Sequence, residues 1–461
     1  MIIEFFKEFL MIELDNVDEI SYVGSFWLPD TPENSFSGTI TFSKEKKIFI
    51  KYTGFIKTKI DLVRLASSDV KLLHGFVENI GKITCINCIP SGGTSNLGQE
   101  SYFVEKYTVS SVIVGIHCFK DEKIFTGISF HFNELNSFCV PFSEQYFIAD
   151  NTPLIDCNID TNYKVQLKQG KKECIDLSFA MHSYGTKYDK TLLKELENKT
   201  QNMQLSKPFY FFHITGEPQT VGTYIDKRGA IEKLFSIFFL KKINSLYSFL
   251  KIDNQEYQLI DFFTLKNASE ENFHMAFLPV CIHNIQKIFS NVIAEWNNIL
   301  KFSLVNTFLT DKLYNNATAG IQQYSIIVAL IGAWQVNKGS KYNKRYEDFF
   351  VTFLSTSNEL NNGLTCKLRE ILGQNKTLQQ IATDIGDIRD TILHIDTISP
   401  NDKKIKKYGT MINNGIDISN LCEILFIMII KVIYSELGIS LTNSQEGNLL
   451  RQCLLWQSIS Y

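Results

Sequence analysis

The stretch TLQQIATDIGDIRDTILHI, Thr377–Ile395, decides the fold class of the C-terminal part of the chain. Its aliphatic residues recur every three or four positions, which is the spacing of one face of an α-helix. This apolar stripe consists of Leu378, Ile381, Ile385, Ile388, Ile392 and Ile395. The pattern predicts a helix whose stripe packs against a core.

Three polar residues near the end of this helix point away from the stripe. At about 100° per residue, with Ile388 at zero, Arg389 lies at about 100°, Asp390 at about 200° and His394 at about 240°. A guanidinium binds phosphate and an imidazole transfers protons near neutral pH, so these are candidate catalytic residues. A solvated, salt-bridged face is the alternative interpretation. Leu393, which is also off the stripe, indicates a partner surface.

The rest of the chain divides into a β-rich part and a helical part. Residues 20–150 contain short β-branched and aromatic runs between turn residues, typical of a β-sandwich or barrel. Residues 151–268 mix strand-like runs with a helical pattern at Ala230–Leu250. From about Ser269 onward, helical patterns cover Ile282–Leu300, Ile321–Val336, Tyr342–Leu354 and Ile418–Leu437. We expect an α+β multidomain protein: a β-sandwich-like domain at 1–150, a mixed α/β extension at 151–268 and an all-α helical bundle at 269–461.

Composition limits the function classes. The chain has 461 residues, 44% of them hydrophobic and 13% aromatic, which excludes a disordered chain. Its net charge of -3 excludes a strongly basic coat, so any nucleic-acid contact must come from a local patch. Ten cysteines without a paired framework favour a reducing compartment. The longest apolar run, Ile424–Ile433, is too short to cross a bilayer, and we expect a cytoplasmic protein.

A basic run follows the candidate helix and consists of Lys403, Lys404, Lys406 and Lys407. Two interpretations stay open: a patch that contacts phosphates, or a solvated loop that carries charge. The segment Asn337–Tyr346 is a similar but weaker basic candidate.

Cys85, Cys88, His117 and Cys118 have the residue types of a zinc site. A two-residue gap inside a strand, however, places Cys85 and Cys88 on opposite faces. We therefore expect no zinc site, and neither a metal nor a cofactor elsewhere.

The run Arg389-Asp390-Thr391-Ile392-Leu393-His394 resembles the motif of the HEPN superfamily. There an Arg and a polar residue, most often Asn, precede a His by four to six positions. The resemblance implies a metal-independent endoribonuclease that works at least as a homodimer, with Arg389 and His394 of both protomers at a two-fold axis. His394 would take the proton of a 2′-OH, Arg389 would stabilise the phosphate and Asp390 would orient the imidazole. The four lysines would bind RNA.

The N-terminal half resembles the ApeA type of anti-phage HEPN protein. The residues that carry this resemblance are Gly24-x-x-Trp27-x-Pro29-Asp30, Gly38-Thr39-x-x-Phe42, Gly54-Phe55, His74-Gly75, Ile83-Thr84-Cys85, Gly115-x-His117 and Phe125–Phe132. Phe138 stands where a Trp is expected, and the resemblance thins between about Asp150 and Ser269. It implies an effector of abortive infection whose β-rich half senses a phage-derived trigger or regulates the nuclease.

A non-catalytic binding module is the alternative function. In this hypothesis the helical domain dimerises or docks a partner, and the β-rich domain recognises a ligand. Cleavage of RNA in the presence of EDTA separates the two hypotheses.

Overall fold

The chain divides into two compact units, of which the first is β-rich and the second helical. A computed structural model describes residues 19–43, 47–55, 72–96, 102–132, 134–135, 138, 163–166, 174–182, 207–261, 280, 285, 288–309, 320–394 and 402–459. The first unit comprises Met1–Glu232 and Asn244–Phe273, and the second comprises Lys233–Ile243 and His274–Tyr461. The predicted α+β class is confirmed, while the predicted domain limits stay predictions.

The described strands form one continuous sheet in which neighbouring strands pair antiparallel. They are β1 (Glu19–Trp27), β2 (Phe36–Ser43), β3 (Lys47–Phe55), β4 (Leu72–Val77), β5 (Gly81–Asn96), β6 (Tyr102–Val114), β7 (Phe125–His131), β8 (Tyr163–Gln166), β9 (Cys174–His182), β10 (Lys207–Gln219), β11 (Tyr247–Ile252) and β12 (Gln255–Asp261). Their order is β3-β2-β1-β4-β5-β6-β12-β11-β7-β10-β9-β8.

Strands β1 to β6 close into a barrel because β3 also pairs with β6. That antiparallel pairing runs from Ile48↔Val109 to Phe55↔Tyr102 and joins the two ends of the six-strand series. Buried aliphatic and aromatic side chains from all six strands form one core inside it. Closure removes the exposed edges that an open sheet would present.

Two glycines of the resemblance lie opposite each other on neighbouring strands of the barrel. Gly24 of β1 is the register partner of Gly38 of β2. A Cβ atom on Gly24 would lie 2.7 Å from the carbonyl oxygen of Phe76, and one on Gly38 would lie 2.7 Å from Cβ of Tyr52. These contacts leave no room for a side chain, so the barrel requires glycine at both positions.

Beyond the barrel, β6 continues and pairs with β12, after which the sheet extends to β8. Helix α1 spans Val221–Phe239. The prediction of one helix over Ala230–Leu250 is wrong beyond Phe239. Leu240 takes a left-handed backbone conformation with φ of 51°, and β11 begins at Tyr247. A helix cannot propagate through a left-handed residue, so the apolar run is divided between two elements.

From residue 288 onward, the described part of the second unit consists of helices and the turns between them, as predicted. They are α2 (Phe289–Leu300), α3 (Ser303–Leu309), α4 (Ile321–Asn337), a 3-10 turn (Tyr342–Lys344), α5 (Arg345–Leu354), α6 (Glu359–Leu372), α7 (Leu378–Leu393), α8 (Lys403–Asn414), α9 (Ile416–Glu436) and α10 (Asn443–Ile459). Helix α9 is buried on all sides between Leu421 and Ile430 and packs against α4, α6, α8 and α10. Helix α7 packs against α4, α5, α6 and α8.

No helix in the described ranges combines the length and the apolarity that crossing a bilayer requires.

Candidate active site

The ends of helix α7 are set by its local sequence. Thr377 is the N-cap: its hydroxyl accepts a hydrogen bond from the backbone N–H of Gln380, and the Gln380 side chain accepts one from the N–H of Thr377. This reciprocal arrangement satisfies two donors that a helix start leaves open. The helix ends at Leu393, and His394 is its C-cap.

The apolar stripe of α7 faces the interior of the helical unit. Ile381, Ile385 and Ile388 are fully buried, whereas Ile392 in the last turn is half-buried. Ile395, the last member of the predicted stripe, lies outside the described residues. The helix is therefore anchored along most of its length, and its C-terminal turn is less covered.

The three candidate catalytic residues lie in this last part of α7, outside the closed apolar interior. The Arg389 side chain is 24% exposed and that of Asp390 is 45% exposed. His394 is exposed, and its backbone N–H donates to the carbonyl oxygen of Asp390 at 3.2 Å. Both candidate catalytic groups are thus accessible at one end of one helix.

Arg389 is paired with its neighbour but retains free donors. Its Nη1 donates to Oδ1 of Asp390 at 3.1 Å, while its buried Nε has no hydrogen-bond partner in the described part of the chain. A guanidinium has five N–H donors in a fixed fork, so donors on the two terminal nitrogens remain for phosphate oxygens, whereas the buried Nε is out of their reach. The predicted role of Asp390 in orienting the imidazole stays a prediction, since the contact observed for its carboxylate is with Arg389.

The basic run forms the first turn of helix α8 rather than a loop. The Asp402 side chain caps this helix by accepting from the backbone N–H of Lys404 at 2.7 Å. Lys404 pairs with Asp387 of α7 at 2.7 Å, and this contact raises the pKa of Lys404. Lys403 and Lys406 are exposed, and neither forms an ion pair within the described ranges.

A buried carboxylate that the sequence analysis missed lies between α7 and α8. The Asp384 side chain is only 4% exposed. Its Oδ1 accepts hydrogen bonds from Nζ of Lys407 at 2.7 Å and from the hydroxyl of Tyr408 at 2.6 Å. Its Oδ2 forms an ion pair with Nζ of Lys376. Burial works against its ionisation, but the three donors outweigh burial and lower the pKa of Asp384.

The same cluster also shifts the pKa values of Tyr408 and Lys407. Burial and the nearby carboxylate raise the pKa of Tyr408 to about 12, and the hydrogen bond to Asp384 raises the pKa of Lys407. Asp384, Tyr408 and Lys407 therefore hold their usual protonation states at neutral pH. The sequence did contain a signal for this cluster: Asp384 falls at about 320° on the wheel, inside the apolar stripe, where an aspartate requires partners.

The second basic candidate, Asn337–Tyr346, is engaged in contacts of its own. Lys338 forms an ion pair with Glu436. The guanidinium of Arg345 lies 3.7 Å from the ring centre of Tyr342 and 4.5 Å from that of Tyr346. These contacts favour a structural role for Lys338 and Arg345.

The prediction that the two cysteines of β5 lie on opposite faces of the strand is wrong. Cys85 and Cys88 do not lie on opposite faces; both belong to the barrel core, because Asn87 between them has a left-handed backbone with φ of 52°. Burial raises the pKa of the Cys88 thiol to about 12, whereas metal binding needs a thiolate. Nε2 of His117 donates to the carbonyl oxygen of Gly75 at 2.9 Å.

A serine–histidine pair in the first unit is enclosed. Oγ of Ser129 on β7 lies 2.6 Å from Nδ1 of His213 on β10, and Ser129 is buried. Burial lowers the pKa of His213 to about 3, so its imidazole is neutral. A buried hydroxyl bonded to a neutral imidazole is a satisfied core pair, without the access that a nucleophile needs.

Comparison with known proteins places the β-rich part in a family. The family described as ApeA N-terminal domain 1 matches residues 21–296, more than half of the chain. The chain belongs to this family. It is an ApeA-like anti-phage protein, as its N-terminal motifs predicted. The matched range also includes residues 151–268, where those motifs thinned out. No curated protein and no solved structure matched the chain.

Three motif residues of the ApeA-like domain, Trp27, His74 and His117, meet at one place on the barrel. The rings of Trp27 and His117 meet edge-on at 5.3 Å, and His74 stacks on His117 at 4.7 Å. Nε2 of His74 donates to the carbonyl oxygen of Cys118 at 3.1 Å. The motif histidines thus tie the segment after β6 to β4, which gives this part of the resemblance a structural meaning.

Proposed function

We propose that the helical unit of this ApeA-like protein is a metal-independent endoribonuclease with Arg389 and His394 as its catalytic pair. The observation that carries the proposal is the position of both side chains in the last two turns of α7, where each can be reached from solvent. The Arg389 side chain is 24% exposed and has terminal donors beyond the one that Asp390 accepts, and His394 is exposed. The ApeA-like N-terminal domain in the same chain supports it, because it assigns the protein to antiviral defence.

The residue types fit an internal transfer on RNA. The imidazole of His394 removes the proton of a 2′-OH, and the 2′-oxygen forms a bond to the adjacent phosphorus. The bond from phosphorus to the 5′-oxygen breaks, and that oxygen leaves with a proton from a second imidazole. The products are a 2′,3′-cyclic phosphate and a 5′-hydroxyl. Arg389 stabilises the negative charge that builds on the phosphate during this step.

A homodimer supplies the second imidazole in this scheme. Two copies related by a two-fold axis bring the same residues of both protomers together. Leu393 is next to His394 and is 49% exposed. It is suited to such an interface because removing its apolar side chain from water is favourable. The ApeA-like domain then restrains the nuclease until a phage-derived component acts on it.

The test uses the purified full chain, a labelled single-stranded RNA and its DNA counterpart, all in EDTA. We expect cleavage of the RNA, which carries the 2′-OH, and none of the DNA. His394→Ala should lower the rate by about 10²–10⁴-fold, and Arg389→Ala should do so comparably. Lys367→Ala, which removes a positive charge from α6, is the control. Variants at 389 and 394 that cut RNA and protect cells like the wild type would refute the proposal.

A non-catalytic role is the second candidate, and the exposed Leu393 favours it. In that case the helical unit self-associates or docks a partner, and RNA survives under every condition. Leu393→Asp would then abolish protection of infected cells, whereas His394→Ala would leave it intact.

A further inference from the structure

Helix α7 carries three aspartates at intervals of three residues, and each is paired. Asp384 pairs with Lys407, Asp387 with Lys404 and Asp390 with Arg389. Residues three apart on a helix are neighbours, so these carboxylates form one acidic row that leads to the candidate catalytic arginine.

The row fixes the direction of helix α8. Lys404 pairs with Asp387, and Lys407, which is later in the chain, pairs with Asp384, which is earlier. The two helices therefore run antiparallel, and the N-terminal turn of α8 lies beside the C-terminal half of α7. Asp390 also contributes to the raised pKa of Lys404, which places that lysine within electrostatic reach of the candidate site.

The lysines of α8 divide between two faces of the helix. At about 100° per residue, Lys404, Lys407 and Tyr408 fall within one sector, which is the sector that contacts α7. Lys403 and Lys406 fall outside it and are exposed. The first group is engaged with carboxylates, so the second is the one available to phosphates.

Asp384 is an unusual choice for its position. An aliphatic residue would continue the apolar stripe, and a buried ion pair often contributes less to stability than a well-packed apolar side chain. What the carboxylate adds is directional: it fixes Lys376, Lys407 and Tyr408 at the junction of α7 and α8. Such a group determines where α8 lies more than how tightly the core packs.

We propose that Asp384 is a positioning residue for substrate binding, which holds α8 through Lys407 and Tyr408 so that Lys403 and Lys406 face the RNA backbone. The identity of the ligand as RNA rests on the proposed function. Asp384 itself touches no substrate.

The test measures binding of the full chain to a 2′-O-methylated single-stranded RNA, which lacks the attacking hydroxyl, by fluorescence anisotropy over a range of KCl concentrations. Lys403→Ala and Lys406→Ala should each weaken binding and make the negative slope of log K against log salt shallower by about 0.7. An unchanged slope in both variants would overturn the assignment of these lysines.

The Asp384→Asn variant distinguishes a positioning role from a purely electrostatic one, because the two predict opposite changes in RNA affinity. Loss of a negative charge near a basic patch should tighten RNA binding if electrostatics alone operates. Loss of a positioning residue should weaken it several-fold, and in the cleavage assay should raise KM while kcat changes little. Tighter or unchanged binding would overturn the proposal.

Two further variants separate positioning from loss of the fold. Tyr408→Phe removes one hydrogen bond to Asp384 and keeps the ring, and it should weaken binding less than Asp384→Asn. Glu446→Gln removes a similarly buried carboxylate that pairs with Lys431 on α9, and it should leave binding unchanged. An equal loss in Glu446→Gln would indicate general destabilisation and overturn the proposal.

Cleavage of unmodified RNA by the wild type is scored separately. If the wild type binds the methylated RNA with the expected variant pattern but cuts no RNA, the nuclease proposal fails while the positioning of α8 stands. If the wild type cuts RNA but the Asp384→Asn variant binds RNA normally, the nuclease proposal stands and the positioning role of Asp384 fails.

Discussion

Each unit contains a cluster of charged groups around buried carboxylates, and the two clusters differ in their access to water. In the first unit, Arg228 of α1 pairs with Glu232 at 3.4 Å and with Asp261 of β12, and it donates to Oγ of Ser248 at 2.9 Å. Arg228, Glu232 and Asp261 are all buried. In the second unit, Asp384 is equally buried, but its partner Lys407 is 53% exposed.

This difference separates a closed cluster from an open one. In the closed cluster every charge has lost its water, so each depends fully on its protein partners. In the open cluster the lysine stems cover the carboxylate while their ammonium groups keep contact with solvent. A closed cluster therefore serves the fold, whereas an open cluster connects the core to the surface of its unit.

The largest expected effect is that of opening the closed cluster. Arg228→Met leaves Glu232 and Asp261 buried without their cation, and should lower the free energy of unfolding of the first unit by about 3–5 kcal/mol. Hydrogen exchange of the β11 amides, followed by mass spectrometry, measures this loss. Asp226→Asn, at an exposed residue of the same helix, is the control, and exchange as slow as in the wild type would remove the distinction between the clusters.

A smaller effect is expected for the open cluster. Asp384→Asn leaves Lys376 and Lys407 without a charged partner, but both can turn to water. The free energy of unfolding of the second unit should therefore fall by about 1–3 kcal/mol. Urea denaturation followed by circular dichroism measures it. A loss of unfolding free energy as large as that of Arg228→Met would show that the exposure of the lysines does not reduce the cost of removing the carboxylate's charge.

The contribution of Asp384 should also depend on pH. Its pKa is lowered from 3.8 by Lys376, Lys407 and Tyr408 against the opposing effect of burial, so the folded state binds the proton less well than the unfolded state. The stabilisation is complete above the unfolded value and disappears as pH falls through the folded value. The difference in stability between wild type and Asp384→Asn should be constant near neutral pH and shrink below about pH 3.8. A difference that grows on acidification would contradict the lowered pKa.

The smallest effect is expected for the pair at the rim of the open cluster. The Lys404 and Asp387 side chains are both substantially exposed, so Lys404→Met should change the free energy of unfolding by about 0–1 kcal/mol. Thermal unfolding at low and high salt measures it. A change comparable to that of Asp384→Asn would place Lys404 inside the cluster rather than at its rim.

Local sequence patterns predicted helix α7 and the positions of its candidate site residues. The three- and four-residue spacing, the Thr377 cap and the off-stripe positions of Arg389 and His394 all depend on residues within a few turns of one helix. The same reasoning missed the beginning of α8 at Lys403, because a run of lysines after a proline and an asparagine favours a loop unless the Asp402 cap is recognised.

The sequence by itself determined a β-rich half, a helical half and a candidate Arg389–His394 pair on a half-buried helix, because side-chain periodicity reports which face of an element avoids water. Only the tertiary structure decided that β3 meets β6 to close the barrel, and that Lys376, Lys407 and Tyr408 converge on Asp384. Those contacts join residues that are distant in the chain. They depend on strand register and helix packing, which no local period encodes.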